Sequence, residues 1–193
     1  YSGKRDLEQP LGASHMGLIY VNPQGPDANP DPLLAAHDIR ETFGRMAMND
    51  YETAALVAGG HTFGKSHGAA SESYKGPDPE ASKLQDQSTG WNSGYKSGKG
   101  VDTISSGIEG AWTQNPTKWD MGYLDCLYGH DWELTKSPAG AHQWTPKKNG
   151  QKIKMVPDAH QKGVLHPPMM QTTDISMKVD PSYGPITKHF HQN

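Results

Sequence analysis

Cysteine is nearly missing from this 193-residue chain: Cys126 stands alone, which excludes an intramolecular disulfide framework and leaves the compartment open, with the cytoplasm favoured. It lies in an apolar helical stretch and reads as a buried thiol. Long apolar runs are missing too. Nothing approaches the ~18 residues that a membrane-spanning helix requires, so a soluble chain with no membrane partner is expected. Neither sign of charge dominates. The formal net charge is −3, and the basic stretch of Lys147-Lys148 with Lys152 to Lys154 is short enough to be a solvated loop. Nucleic acid is therefore not an expected partner. No internal repeat is visible.

Apolar residues make up only 33% of the chain and the mean hydropathy is −0.79, so the core is modest for one domain. Glycine and proline, by contrast, are plentiful at 22 and 15 residues, which implies long loops. Such a chain is expected to be completed by a cofactor or by more polypeptide. It begins Tyr1-Ser2-Gly3 rather than with Met, which reads as a segment of something larger.

The pattern along the chain is mainly α with long irregular insertions. Met16 to Val21 is a short strand or extended piece, broken by Asn22-Pro23-Gln24-Gly25-Pro26. Asp31 caps a helix with Pro32 in its first turn, and Leu33, Ala36, Ile39, Phe43 and Met46 repeat at helical spacing as one buried face. Asn49 with Glu52 is a capping-box start for a second helix that ends at Gly59-Gly60. Residues 68–105 read as a long loop. Helix returns over Thr117 to Tyr128, with Thr117 and Asp120 as a cap pair and Gly129 as the stop. Residues 137–168 read as loop, and Asp180-Pro181 opens a last helix through Phe190.

Chemistry concentrates in Gly59-Gly60-His61-Thr62-Phe63-Gly64-Lys65-Ser66-His67. Gly59 through Ser66 satisfies G-x-x-x-x-G-K-[ST], the phosphate-cradling loop, which needs a strand before it and a helix after it. Here an Ala-rich helical stretch precedes and loop chemistry follows, so the match reads as chance and nucleotide binding stays a minor alternative. The same run sets an imidazole at a helix end, followed by glycines and cations, which suits a histidine binding a metal cofactor that bears anionic groups. Lys65 and His67 are candidates for those groups. Asp174, in Thr172-Thr173-Asp174-Ile175, falls at a helix start where a carboxylate can be buried and paired, although its ordinary reading is a cap. Trp112 alone reads as a core aromatic, Met46 as a helix-face core residue, and Ser105 and Ser106 as loop. His160 with His166, and His189 with His191, lack a recognised zinc spacing and read as surface histidines.

Several ordered runs resemble one family, the bifunctional haem catalase-peroxidases of the plant-peroxidase type. They are Met16 to Pro23, Ile39-Arg40-Glu41-Thr42-Phe43, Met46-Ala47-Met48-Asn49-Asp50, Gly59 to Lys65, Trp132 to Ala141, and Thr172-Thr173-Asp174. The resemblance covers about residues 7 to 190. It implies the proximal half of an N-terminal haem domain of the helical peroxidase fold, spanning 1–193. It also implies haem b, with His61 as the iron ligand, Asp174 accepting its ring N–H, and Trp112 beside the imidazole. Gly64, Lys65, Ser66 and His67 would border the cofactor and its propionates, with Ser105 and Ser106 by the haem edge and channel. Tyr20 and Met46 match the two positions that join a distal tryptophan in a covalent adduct tied to catalase activity. The resemblance further implies hydrogen peroxide and small electron donors as reactants and a homodimer or homotetramer as the assembly. The distal Arg, Trp and His of the family lie upstream, and its haem-free C-terminal domain is also missing here. Gln24 stands where many relatives have Glu at the channel mouth. A non-catalytic fragment is the competing reading of the isolated chain.

Overall fold

The computed structural model describes residues 21–77, 83–84, 92–105, 107–147 and 153–193. Of the expected strand or extended piece Met16 to Val21, residues 16–20, with Tyr20, lie outside them, as does Ser106.

Asp31 Oδ1 accepts from the amides of Leu33 (2.8 Å) and Leu34, and Pro32 needs no partner in the first turn, so helix α1 starts there and runs Pro32–Gly44. Its buried face is Ala35, Ala36, Ile39 and Phe43. Met46 departs from expectation. The helix stops at Gly44, the chain turns through Ala47 at φ 60°, and Met46 is left 42% exposed rather than in the core. Helix α2, Asp50–Gly60, opens on the expected reciprocal box: the Glu52 amide donates to Asn49 Oδ1 (2.9 Å) and the Asn49 amide to Glu52 Oε2 (3.0 Å).

Helix α3 spans Gly122–Gly129, five residues later than expected. Asp120 does not form a cap pair with Thr117. It closes a turn instead, accepting from the Gly122 amide (2.8 Å) and Asn115 Nδ2 (2.8 Å), while Thr117 pairs with Phe63. Residues 137–168 contain strands where loop was expected. Strand β1, Trp132–Lys136, pairs antiparallel with β2, His142–Pro146, in the register Leu134 opposite Trp144. Gly140 at φ 96° allows the turn between them. Short strands β3, Val156–Pro157, and β4, Leu165–His166, form a second hairpin. Residues 68–105 are irregular among the described residues, apart from brief 3-10 turns and isolated bridges, as a long loop should be. Helix α4 is Thr172–Val179, and α5 is Tyr183–Gln192, starting after Asp180-Pro181 because Asp180 Oδ1 first accepts from the amides of Ser182 and Tyr183.

α1 packs on α4, α4 on α5, and α2 on α5. Ile39, Tyr123, Leu127, Met170, Met177 and Tyr183 are fully buried between them. Each such apolar side chain contributes about 1.5–3 kcal/mol, so this small cluster carries much of the stability. Cys126 is buried in it, as expected, and burial pushes its thiol up to about 11. No helix among the described residues is long and apolar enough to cross a membrane.

Candidate functional site

Helix α2 runs straight into Gly59-Gly60 and delivers His61 as its C-cap residue, with the His61 amide donating to Val57 O (2.9 Å). A helix before the glycines excludes the phosphate-loop reading, which needs a strand there. The segment after His61 is no helix either. It runs antiparallel to residues 104–117 through the pairs Phe63 with Thr117, Ser66 with Gly110 and Gly68 with Ile104. The approach is close enough that a methyl group at Gly68 would run into the Gly107 carbonyl.

That pairing sets Trp112 over His61. The rings stack with centroids 4.0 Å apart at 20°, and the indole Nε1–H donates to Phe63 O (3.2 Å). From the other side, the first turn of α4 presents Asp174. Its Oδ1 lies 2.6 Å from His61 Nδ1 and also accepts from Tyr123 Oη (3.1 Å), while its Oδ2 accepts from the Gln171 amide (2.8 Å). Asp174 is 0% exposed. A carboxylate accepts but does not donate, so the proton sits on His61 Nδ1 and the lone pair is left on Nε2. The carboxylate also fixes the ring orientation, as such partners do for metal-bound histidines. Tyr123 stands edge-on to the imidazole at 5.5 Å. Burial, and then the neighbouring Asp174 charge, hold its phenol well above the ordinary tyrosine value, so it remains a donor.

His61 borders a cavity of about 480 Å³ whose other walls include Val21, Phe43, Val57, Ile108 and Ser66. One imidazole lone pair at an apolar cleft fits a flat, largely apolar metal cofactor bound through a single protein ligand. The residues present therefore fit a haem.

The remaining expected residues fall in three places. Ser66 shares the His61 cavity. Lys65 does not: its Nζ is held by Glu109 Oε1 (2.9 Å), and it lines a separate cavity of about 570 Å³ instead. His67 is buried, its ring 6.2 Å from that of His160, and Gly64 takes a left-handed φ of 84° as its amide donates to Pro116 O (2.9 Å). Ser105 lines a recess of about 180 Å³ with Gln24, Glu72 and Lys75, and Gln24 Oε1 accepts from the His142 amide (2.7 Å). Met46 lies on the surface. Tyr20 and Ser106 lie outside the described residues. His166 pairs with Asp158 (2.8 Å) and His191 with Asp125 (3.1 Å), and among the described residues no group of three or more metal-ligating side chains forms. Sequence reasoning missed Tyr123 and Glu109. Both act through partners more than 40 positions away, and no local pattern marks them.

A histidine with its tautomer fixed by a buried carboxylate, and flanked by an indole, is an arrangement that could ligate a metal through Nε2 from one side, here within a helical frame. The family profile described as "Peroxidase" matches residues 2–193, and the chain belongs to that family. Within it, the chain is 64% identical over 194 residues to a protein named "Catalase-peroxidase" from Koribacter versatilis (strain Ellin345), covering 100% of this chain and 26% of that one. It is 61% identical over 193 residues to a catalase-peroxidase of Rhizobium rhizogenes (strain K84 / ATCC BAA-868) and 60% identical over 195 to one of Caulobacter sp. (strain K31), with the same coverage. The chain thus spans 26% of the length of these relatives.

Proposed function

We propose that this chain is the proximal half of the haem domain of a catalase-peroxidase, which removes hydrogen peroxide by disproportionation and by oxidising small organic donors. The observation that carries this reading is the 2.6 Å contact between His61 Nδ1 and buried Asp174, which leaves the lone pair on Nε2 of a residue that lines the cavity. When bound, the iron of haem b supplies the redox centre between peroxide and donor. The chain's own residues hold and orient it. His61 would hold it through Nε2, Asp174 would keep the ring proton on His61 Nδ1 and orient the imidazole, and Trp112 would fix the ring plane by stacking.

We assign the cofactor's edge to the Gly64–His67 segment, supported by Ser66 on the His61 cavity wall. Lys65 would serve that edge by exchanging Glu109 for a propionate, with His67 two residues further on. Ser105 and Ser106 border the peroxide channel in this reading, and Gln24 beside Ser105 supports it. The distal Arg, Trp and His that cleave peroxide come from upstream polypeptide, and Tyr20 and Met46 join its tryptophan. The exposed Met46 side chain suits a residue that meets further protein. A C-terminal haem-free domain and a cytoplasmic homodimer or homotetramer complete the proposal. The single unpaired thiol agrees with a reducing compartment. The isolated chain lacks the distal groups, so we propose ligation without full turnover for it.

Hemin titration followed by absorption tests the ligand assignment. A Soret band that His61→Ala abolishes supports it. A band indifferent to His61, in the protein with its upstream segment present, overturns it.

A further inference from the structure

The helices that carry His61 and Asp174 are also tied together at their far ends, and we propose that Arg40, which makes this tie, is a positioning residue that sets the His61–Asp174 hydrogen bond. α2 begins at Asp50 and ends at His61, whereas α4 begins beside Asp174 and ends at Asp180. His61 meets Asp174 at one end of the pair, and Arg40 joins Asp50 to Asp180 at the other. The two helices are thus antiparallel and fastened at both ends.

The tie is built for geometry rather than charge alone. Arg40 Nε donates to Asp50 Oδ1 (3.0 Å) and Oδ2 (3.1 Å), while Nη2 donates to Asp50 Oδ2 (3.0 Å) and to Asp180 Oδ1 (3.0 Å). Only a planar fork can address two carboxylates this way. The Tyr183 ring supports the guanidinium from 4.7 Å. Both acids are themselves anchored: Ser182 Oγ donates to Asp50 Oδ2 (2.5 Å), and Asp180 Oδ1 accepts from the amides of Ser182 (2.9 Å) and Tyr183 (3.0 Å). Burial alone would raise the Asp50 carboxyl, yet hydrogen bonds from Arg40 and Ser182 hold it below its ordinary value.

α2 rests on α5 and α1, and α4 rests on α1, α5 and α3. α1 and α5 thus support both helices, and the polar ties at their ends are the contacts that join α2 to α4 directly. At 1.5 Å per residue, α2 places the clamp about 16 Å from the imidazole, and Asp180 lies about 9 Å along α4 from Asp174. Helices are stiff over such spans, so a slide at the clamp reaches the far end. A contact of 2.6 Å tolerates only a few tenths of an ångström before it weakens.

The hydrogen bond can be read without cofactor, through the Nδ1 proton of His61 in haem-free protein labelled at histidine with ¹⁵N. Its consequence for iron, which rests on His61 being the haem ligand, is read as the reduction potential of the haem-loaded protein. Arg40→Met should move the Nδ1 proton upfield and raise the potential, because a weaker bond to Asp174 makes a less basic ligand. Arg40→Lys should fall between Arg40→Met and the parent. Asp158→Asn, which loosens the distant β3–β4 hairpin, should lower Tm and move neither. If Arg40→Met lowers Tm but leaves the Nδ1 proton and the potential unchanged, the inference is overturned. Should Arg40→Met not fold, Arg40→Lys and Asp180→Asn carry the same comparison. If the parent shows no His61-dependent haem spectrum, the ligand assignment fails while the Nδ1 proton still decides the role of Arg40.

Discussion

Nδ1 of His61 lies 2.6 Å from Oδ1 of Asp174, a carboxylate with no exposed surface and three donors upon it. Removing the acceptor strands all three. Asp174→Ala should cost about 3 kcal/mol of stability, whereas Asp174→Asn, which keeps the shape, should cost about 1–2 kcal/mol. Asp174→Asn should also weaken hemin binding roughly ten-fold, because the histidine loses its orienting charge. Urea unfolding and Soret titration measure the two effects. Equal hemin affinity in Asp174→Asn and the parent would sink the link between carboxylate and ligand.

Trp112 serves His61 through its ring face and Phe63 through its N–H. Trp112→Phe should retain most of the stack and lose only the hydrogen bond, at about 1 kcal/mol, while Trp112→Ala should cost about 3–5 kcal/mol through the cavity it leaves. Thermal unfolding ranks the pair, and similar losses for both would show that the bond rather than the ring matters.

Tyr123 donates its hydroxyl to the Asp174 oxygen that His61 also uses. Tyr123→Phe should destabilise the fold by about 1.5–3 kcal/mol, the usual worth of a hydrogen bond to a charged group. It should also leave Asp174 freer to draw the Nδ1 proton, so the iron potential should fall. A potential that rises would contradict this sharing of one oxygen.

Alkaline stability depends on buried acids that must stay neutral. The Cys126 thiol moves from 9.0 to about 11, raised chiefly by burial, so its contribution is full below 9.0 and is lost as pH climbs to about 11. The loss is on the order of 3 kcal/mol. Cys126→Ala should flatten that part of the profile of unfolding free energy against pH. Acid behaves in the opposite sense. Asp50 is held below 3.8, so its contribution is full above that value and disappears as pH falls through its lowered folded value. Asp50→Asn should make the acid limb shallower, and an unchanged limb would exclude Asp50 from it.

The parts legible in the sequence were those whose cause is local. Asp31 with Pro32 and Asn49 with Glu52 announce α1 and α2 because a cap bonds within three or four residues. The helix into Gly59 was readable for the same reason, and it disposes of a motif that Lys65 otherwise satisfies. The β1–β2 hairpin carries little local signal, although Ser137-Pro138-Ala139-Gly140 is turn chemistry. Its strands lack a clean alternation, since Glu133 and Leu134 are both exposed. Asp120 has the spacing of a cap partner to Thr117 and closes a turn instead, because Thr117 is drawn into the pair with Phe63 and the Asp120 oxygens are taken by Asn115 and Gly122. His61 with Asp174 came from family resemblance, not spacing, for no local rule links residues 113 positions apart.

Asp174 also belongs to the first turn of α4, where its second oxygen receives the Gln171 amide. One carboxylate therefore fastens a helix end with Oδ2 and an imidazole with Oδ1. Fraying of that turn would carry the acceptor away from the ring, so slow amide exchange at residues 174 and 175 and a steady histidine tautomer should rise and fall together. A change that softens these eight residues of helix therefore also alters the hydrogen bond that orients the His61 ring.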